Sequence, residues 1–150
     1  MSQREYVTFK IGGQVFGASV EEIHDVFSPA NMTPVPQAPP EIAGVLNLRG
    51  RIVTAIDARS RLSLAASPDS DAERLAIGVE RDGESFGLII DEIGEVLRLE
   101  EEDLEENPVN LDLTWASVSK GVYRLDKSLL VIMDIDRMLA SPDTGEAVAA

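Results

Sequence analysis

Three aspartates stand where an enzyme would place acid and base groups. Asp57, Asp91 and Asp134 each follow a run of branched apolar residues, so each carboxylate would sit at a strand end, free to move a proton. The same placement suits a helix cap, in which the carboxylate accepts a hydrogen bond from a free N–H of the turn that follows, at 58–62, 92–96 and 135–140. Capping is the expectation, because Asp57 and Asp134 occupy matching positions of an internal repeat, and structural devices recur in that way. A small acid/base hydrolase using Asp57 or Asp134 is the alternative from a different class.

Other chemistry is soon exhausted. His24 is the sole histidine and the chain has no cysteine, which excludes multi-imidazole sites, thiolate metal sites and disulfides. No glycine-rich phosphate loop occurs, since the glycines fall at turns. The acidic run 100–106 reads as a solvated face rather than a cation site. Trp115 is open as either core or interface anchor. These readings lead us to expect no enzyme activity, no cofactor and no metal.

The segment 44–57 differs from these. It sets Asn47 and Arg49 at the tip of a hairpin around Gly50, between two apolar strands. An ordinary turn with a solvated arginine would also read this way. The second repeat carries Arg124 and Asp126 at the matching positions, so the expectation is that something other than the fold selects Asn47 and Arg49.

Short strands must hold these residues. Val7, Phe9 and Ile11 alternate with polar neighbours before Gly12-Gly13, and 14–20 reads as the return strand. The stretch 20–27 fits a helical turn or a strand start, and its length does not decide between them. Pro29, Pro34, Pro36, Pro39 and Pro40 mark a loop or an edge strand. Strands follow at 45–48 and 52–56, a linker at 67–72, strands at 75–80 and 85–90, and a last hairpin at 122–133 around Asp126-Lys127. A short helix at 135–140 precedes a flexible tail at 141–150.

The chain repeats itself. Residues 13–27 align with 83–97 at an offset of 70, with six of 15 positions identical, and 44–62 align with 121–139 at an offset of 77. The repeats span about 6–66 and 73–140. We therefore expect an all-β protein made of two similar units packed on a shared core, with a seam between them. Its 150 residues carry 27 acidic against 13 basic side chains, a net charge of −14 that argues against a nucleic-acid partner. An apolar content of 44% suits a globular protein. No run of apolar residues approaches the roughly 20 needed to cross a bilayer. No secretion or myristoylation signal stands at the start, so direct membrane insertion is not expected.

The residues 47–50 (Asn-Leu-Arg-Gly), after Gly44-Val45 and before a strand ending in Asp57, resemble the signature of the CheW-like family of chemotaxis coupling proteins. The resemblance runs from about Tyr6 to Leu139. It takes in Phe16-Gly17, 33–36, 86–91 with Val96-Leu97, and 120–135. It implies two five-stranded β-barrels around a common core, and a non-catalytic adaptor that ties the cytoplasmic tip of a chemoreceptor to the regulatory domain of a histidine autokinase. The protein would then be cytoplasmic, in receptor arrays beneath the inner membrane. A scaffold of the same fold in a non-flagellar sensing pathway is the neighbouring reading.

Mapped onto this chain, the resemblance puts the receptor groove between the barrels at Val7, Val20, Ile23, Val26 and Ile93, with Asp25, Asn47 and Arg49 at its edge. The kinase contact would fall on the first barrel around Met32 and Ile52. Asp25 stands where many relatives have Glu, and Thr54 where many have Pro, which alters the geometry of any pairing between Asp25 and Arg49. With a single such domain, the stand-alone adaptor is the expectation. At −14 the isolated chain should be a monomer.

Overall fold

Two-residue hairpins set the framework. Strands β1 (Gln3–Ile11) and β2 (Gln14–Ser19) meet at Gly12-Gly13, whose φ values of 60° and 85° make the turn that matches strand twist. Strands β4 (Ile42–Leu48) and β5 (Arg51–Asp57) turn at Arg49-Gly50 with φ of 54° and 85°, and β6 (Leu75–Arg81) and β7 (Glu84–Ile90) turn at Asp82-Gly83 with φ of 53° and 80°. The remaining strands are β3 (Asp25–Phe27), β8 (Glu92–Glu100), β9 (Ser119–Arg124) and β10 (Leu129–Met133). Among the described residues there are three short α-helices, α1 (Ala58–Arg61), α2 (Leu113–Ala116) and α3 (Ile135–Leu139), and a 3-10 turn at Glu101–Asp103. This computed structural model describes residues 3–29, 32–39, 41–62, 74–126 and 128–139. The expected linker at 67–72 and tail at 141–150 lie outside the described residues.

The strands form two five-stranded sheets, ordered β8-β1-β2-β10-β9 and β3-β6-β7-β5-β4. The all-β reading with two subdomains holds, but the sheets do not coincide with the repeats. Each sheet takes its first hairpin from one repeat and its other three strands from the other. β1-β2 joins β8, β9 and β10, whereas β6-β7 joins β3, β4 and β5. Matching strands thus hold matching places in the two sheets, and the chain crosses between sheets after β2 and again after β7.

Neither five-stranded ladder closes into a full barrel. Each sheet curls until one isolated bridge joins the segment after its edge strand to the opposite edge: Thr33 with Val45 in one, Glu105 with Val122 in the other. Glycine makes that approach possible. A Cβ on Gly44 would stand 2.7 Å from the Thr33 carbonyl oxygen, and one on Gly121 would stand 2.7 Å from that of Glu105.

The core has three parts. Phe9, Ile11, Phe16, Val131 and Met133 of one sheet interleave with Ile56, Ile77, Val79, Leu88 and Ile90 of the other, closed by Ile135 and Met138 of α3. This shared cluster is flanked by one inside each curl: Tyr6, Tyr123, Leu130 and Ile132 in the first sheet, and Phe27, Leu46, Val53, Ala55, Ala76 and Ile89 in the second. Alternation along each strand feeds the two faces, as in Phe27 against Val26. Trp115 belongs to the core side, half-buried and edge-on to Phe16 at 5.4 Å.

One expectation here needs correction and one open reading is resolved. Residues 92–96 form the start of β8 and not a helical turn. Their helical look comes from Ile93 and Val96, three apart yet both apolar. A β-bulge explains it: Ile93 faces Phe9 and Val96 faces Val7, so three steps on β8 oppose two on β1. The stretch 20–27 resolves into a turn at 20–22 followed by β3.

Candidate functional site

The two crossings mark the seam. After β2 the chain runs through Val20, whose N–H donates to the Glu5 carbonyl at 3.1 Å, and through Ile23, half-buried against the shared cluster. His24 N–H then donates to the Gly78 carbonyl at 2.8 Å and delivers the chain to β3. After β7 the matching crossing is Asp91, which delivers the chain to Ile93 on β8. Register places the remaining groove residues. Val7 faces Val96 and Phe9 faces Ile93, while Val26 faces Ile77. Phe9 and Ile77 are members of the shared cluster, so Val7, Val26, Ile93 and Val96 lie on the faces that the sheets turn toward each other.

At the seam these side chains reach solvent. Val26 is 40% exposed, Ile93 37% and Val96 54%. Val7, Val20 and Ile23 are half-buried beside them. Val96 was not placed in the groove from the sequence, although the repeat aligns it with Val26.

Arg49 sits elsewhere. Its guanidinium donates to the carboxylate of Asp25, whose other oxygen accepts the Val26 N–H at 2.9 Å. Asp25 faces Gly78, on the side of β3 opposite Val26. The pair therefore stands at the mouth of a cleft of about 230 Å³ inside the second sheet's curl, lined by Phe27, Leu48, Val53, Gly78 and Ser85. Arg51 closes the other side by donating to Glu80 at 2.5 Å, and this bond holds the Glu80 carboxyl below the usual carboxylate range. No motif in the sequence announces this cleft.

Asn47 has a local task. Its Oδ1 accepts the Gly50 N–H at 2.9 Å across the hairpin tip, so the fold itself supplies a reason for this residue. That corrects the expectation that only something outside the fold selects it. Asn47 also lies directly opposite Ile52, which is 64% exposed. Met32 packs half-buried against the cluster that holds Val53 and Ala55. Ile52 lies on the other face of β5, so Met32 and Ile52 do not form one patch.

The three aspartates are engaged in structure. Asp57 caps α1, accepting Arg59 N–H at 3.0 Å, and also accepts the buried Arg74 guanidinium at 3.0 and 3.2 Å. Asp134 accepts Arg137 N–H at 3.2 Å at the start of α3. Asp91 caps no helix. It takes two guanidinium nitrogens of Arg59, at 2.9 and 2.7 Å, and the Gly12 N–H at 2.8 Å, tying the crossing to α1 and to the first hairpin. Burial opposes its ionisation, but Arg59, the Gly12 N–H and the charge of Arg74 together hold its carboxyl below the usual range.

On the far side of the seam Arg81 donates to Glu22 at 2.6 Å and to Asp136 of α3. Arg61 of α1 donates to the Arg137 and Met138 carbonyls at 2.6 and 3.0 Å. Ion pairs and caps thus fix the two sheets on both flanks of the apolar seam. Among the described residues, no group of three or more His, Cys, Asp or Glu is arranged to hold a metal ion.

The chain is similar to known proteins in sequence and in fold. Residues 5–143 match the family profile of the CheW-like domain. The chain is 30% identical over 142 residues to Chemotaxis protein CheW of Bacillus subtilis, covering 95% of this chain and 90% of that protein. It is 28% identical over 144 residues to Chemotaxis protein CheW of Treponema pallidum, covering 94% and 85%. Among solved structures, the scaffolding protein TtCheW from Thermoanaerobacter tengcongensis superimposes with a TM-score of 0.77 at 27% identity, over 89% of this chain and 85% of that one.

Proposed function

The chain belongs to the CheW-like domain family, and from that premise we propose that it is a non-catalytic adaptor coupling the cytoplasmic tip of a chemoreceptor to the regulatory domain of a histidine autokinase. One observation carries the reading at the residue level. The seam presents Val7, Ile23, Val26, Ile93 and Val96 as an apolar strip between two rigidly paired sheets. An amphipathic helix is read by apolar anchors spaced one turn apart, and a strip between two sheets offers them a concave seat. Val7, Val20, Ile23, Val26 and Ile93 are accordingly the proposed receptor side.

The kinase side is proposed at the β4-β5 hairpin, centred on exposed Ile52, with Met32 supporting that hairpin from inside. Asp57, Asp91 and Asp134 hold caps and ion pairs, which supports structural rather than catalytic roles for them. No described helix is long and apolar enough to cross a membrane. The proposed location is the cytoplasmic receptor array, reached through partners.

The test is co-sedimentation of a receptor cytoplasmic fragment, clustered on beads, with the purified kinase. Kinase should be recovered with receptor only when this chain is present. Equal recovery without the chain would contradict the adaptor reading.

A further inference from the structure

The two sheets match position by position, and at one place the second sheet sets two small residues against its cleft where the first sheet has larger ones. In the second sheet Gly78 and Ser85 face the cleft of about 230 Å³ floored by Phe27, Leu48 and Val53. In the first sheet the positions 70 residues earlier are Thr8 and Val15. Thr8 donates its hydroxyl to the Glu95 carbonyl at 2.7 Å, and Val15 packs against the cluster of Tyr6, Tyr123, Leu130 and Ile132. Those side chains take the room that Gly78 and Ser85 leave.

Packing does not force the glycine. A Cβ on Gly78 would meet Asp25 Cβ at 3.4 Å and the Phe27 ring at 3.5 Å, both ordinary contacts. An unfilled apolar cavity costs stability, because its lining has no partner atoms. A dry cavity of roughly 150 Å³ is known to hold a benzene ring. The cleft here is larger than that and open on one side.

The mouth carries the second observation. Two ion pairs flank it, and in each the guanidinium is more exposed than the carboxylate. Arg49 is 74% exposed against 23% for Asp25, and Arg51 57% against 34% for Glu80. On a chain of net charge −14, the more exposed charge of each pair at this opening is positive.

The geometry points to an anchor pocket that receives one large apolar side chain from a partner polypeptide, with carboxylates flanking that side chain and meeting Arg49 and Arg51. The pocket opens on the face of β3 opposite Val26, because Asp25 and Phe27 face it while Val26 faces the seam; Val79 of the shared cluster, and Phe86 packed against that cluster, also line it. It rests on the coupling reading only for the identity of the partner.

Phenylacetate, an apolar ring bearing a carboxylate, is the probe, titrated into the ¹⁵N-labelled full chain by NMR. Saturable shifts at the amides of Gly78, Ser85 and Arg49 are expected. In the variant Gly78→Thr with Ser85→Val, which copies the first sheet, the affinity should fall at least fivefold. If that variant melts early, Gly78→Ala alone supplies the comparison, with a smaller loss in the same direction. Absent shifts in the wild type, or equal affinity in the filled variant, would overturn the pocket.

A second arm titrates a receptor tip and a kinase regulatory domain against the same pair of proteins. One of the two should bind the filled variant at least tenfold more weakly, and unchanged affinity for both overturns the anchor role. If neither binds the wild type, the coupling reading fails, and the phenylacetate titration still decides the pocket.

Discussion

Asp25 and Arg49 form an ion pair that ties edge strand β3 to the tip of the β4-β5 hairpin, across the mouth of the second sheet's cavity. Arg49 does this from a left-handed backbone position, with φ of 54°, where a side chain other than Gly, Asn or Asp is uncommon. A shape set by glycine or asparagine in most hairpins is here set by a residue that carries charge outward.

Arg49→Ala should therefore fold almost normally. The guanidinium is 74% exposed although the Asp25 side chain is only 23% exposed, and ion pairs open to solvent contribute about 0–1 kcal/mol. Partner binding should drop while the melting temperature moves by no more than about 5 °C. Calorimetry showing an unfolded variant would make Arg49 structural.

Asp91→Asn should be costly by contrast. It leaves Arg59 and Arg74, both largely buried, without the carboxylate that Arg59 grips with two nitrogens. Breaking one partner out of a buried pair costs about 3–5 kcal/mol, and partial exposure brings the expected loss below that range, to about 2–3 kcal/mol in urea unfolding. A loss below about 0.5 kcal/mol would show that the network does not hold the sheets.

The same residue sets a pH dependence. Its folded pKa lies below the unfolded value of 3.8, so its contribution is fully present above that value and is lost as pH falls through the lower folded value. The stability difference between wild type and Asp91→Asn should be constant near neutrality and shrink below about pH 4. A difference that grows on acidification would reverse the sign of this account.

Gly44→Ala and Gly121→Ala should each weaken the single bridge that brings a curled sheet back on itself. The added Cβ would stand 2.7 Å from a carbonyl oxygen, and the φ values of 158° and 150° disfavour any side chain. About 1–3 kcal/mol of destabilisation is expected. Hydrogen exchange should speed up at Thr33 and Val45 in the first variant, and at Glu105 and Val122 in the second. Unchanged protection would contradict the closing role.

Much of this was legible from local patterns. Turn residues, mostly glycines, and alternation located the hairpins, because two-residue turns and period-two burial are local properties. The repeat foretold matching halves, and Asp57 and Asp134 at matching positions foretold two caps. The exchange of hairpins between repeats could not be read, since similarity shows which strands correspond but not which neighbours they choose. β8 was missed because its bulge mimics helical spacing. Asp91 was misassigned for a related reason: its partners Arg59 and Gly12 are remote in sequence. The resemblance correctly paired Asp25 with Arg49, but only register revealed that the pair lies across β3 from the seam.

The central claim is that the seam reads a receptor helix, and Ile23→Ala combined with Ile93→Ala tests it most directly. Ile93 is exposed and Ile23 half-buried, so each should contribute about 1–2 kcal/mol to binding, short of the several kcal/mol that a fully buried isoleucine gives to stability. The measurement is a titration of labelled receptor tip, and separately of kinase regulatory domain, against wild type and the double variant. Receptor affinity should fall at least tenfold while kinase affinity survives. Equal loss of both affinities, or a collapsed melting temperature, would place these residues in the core and contradict the account.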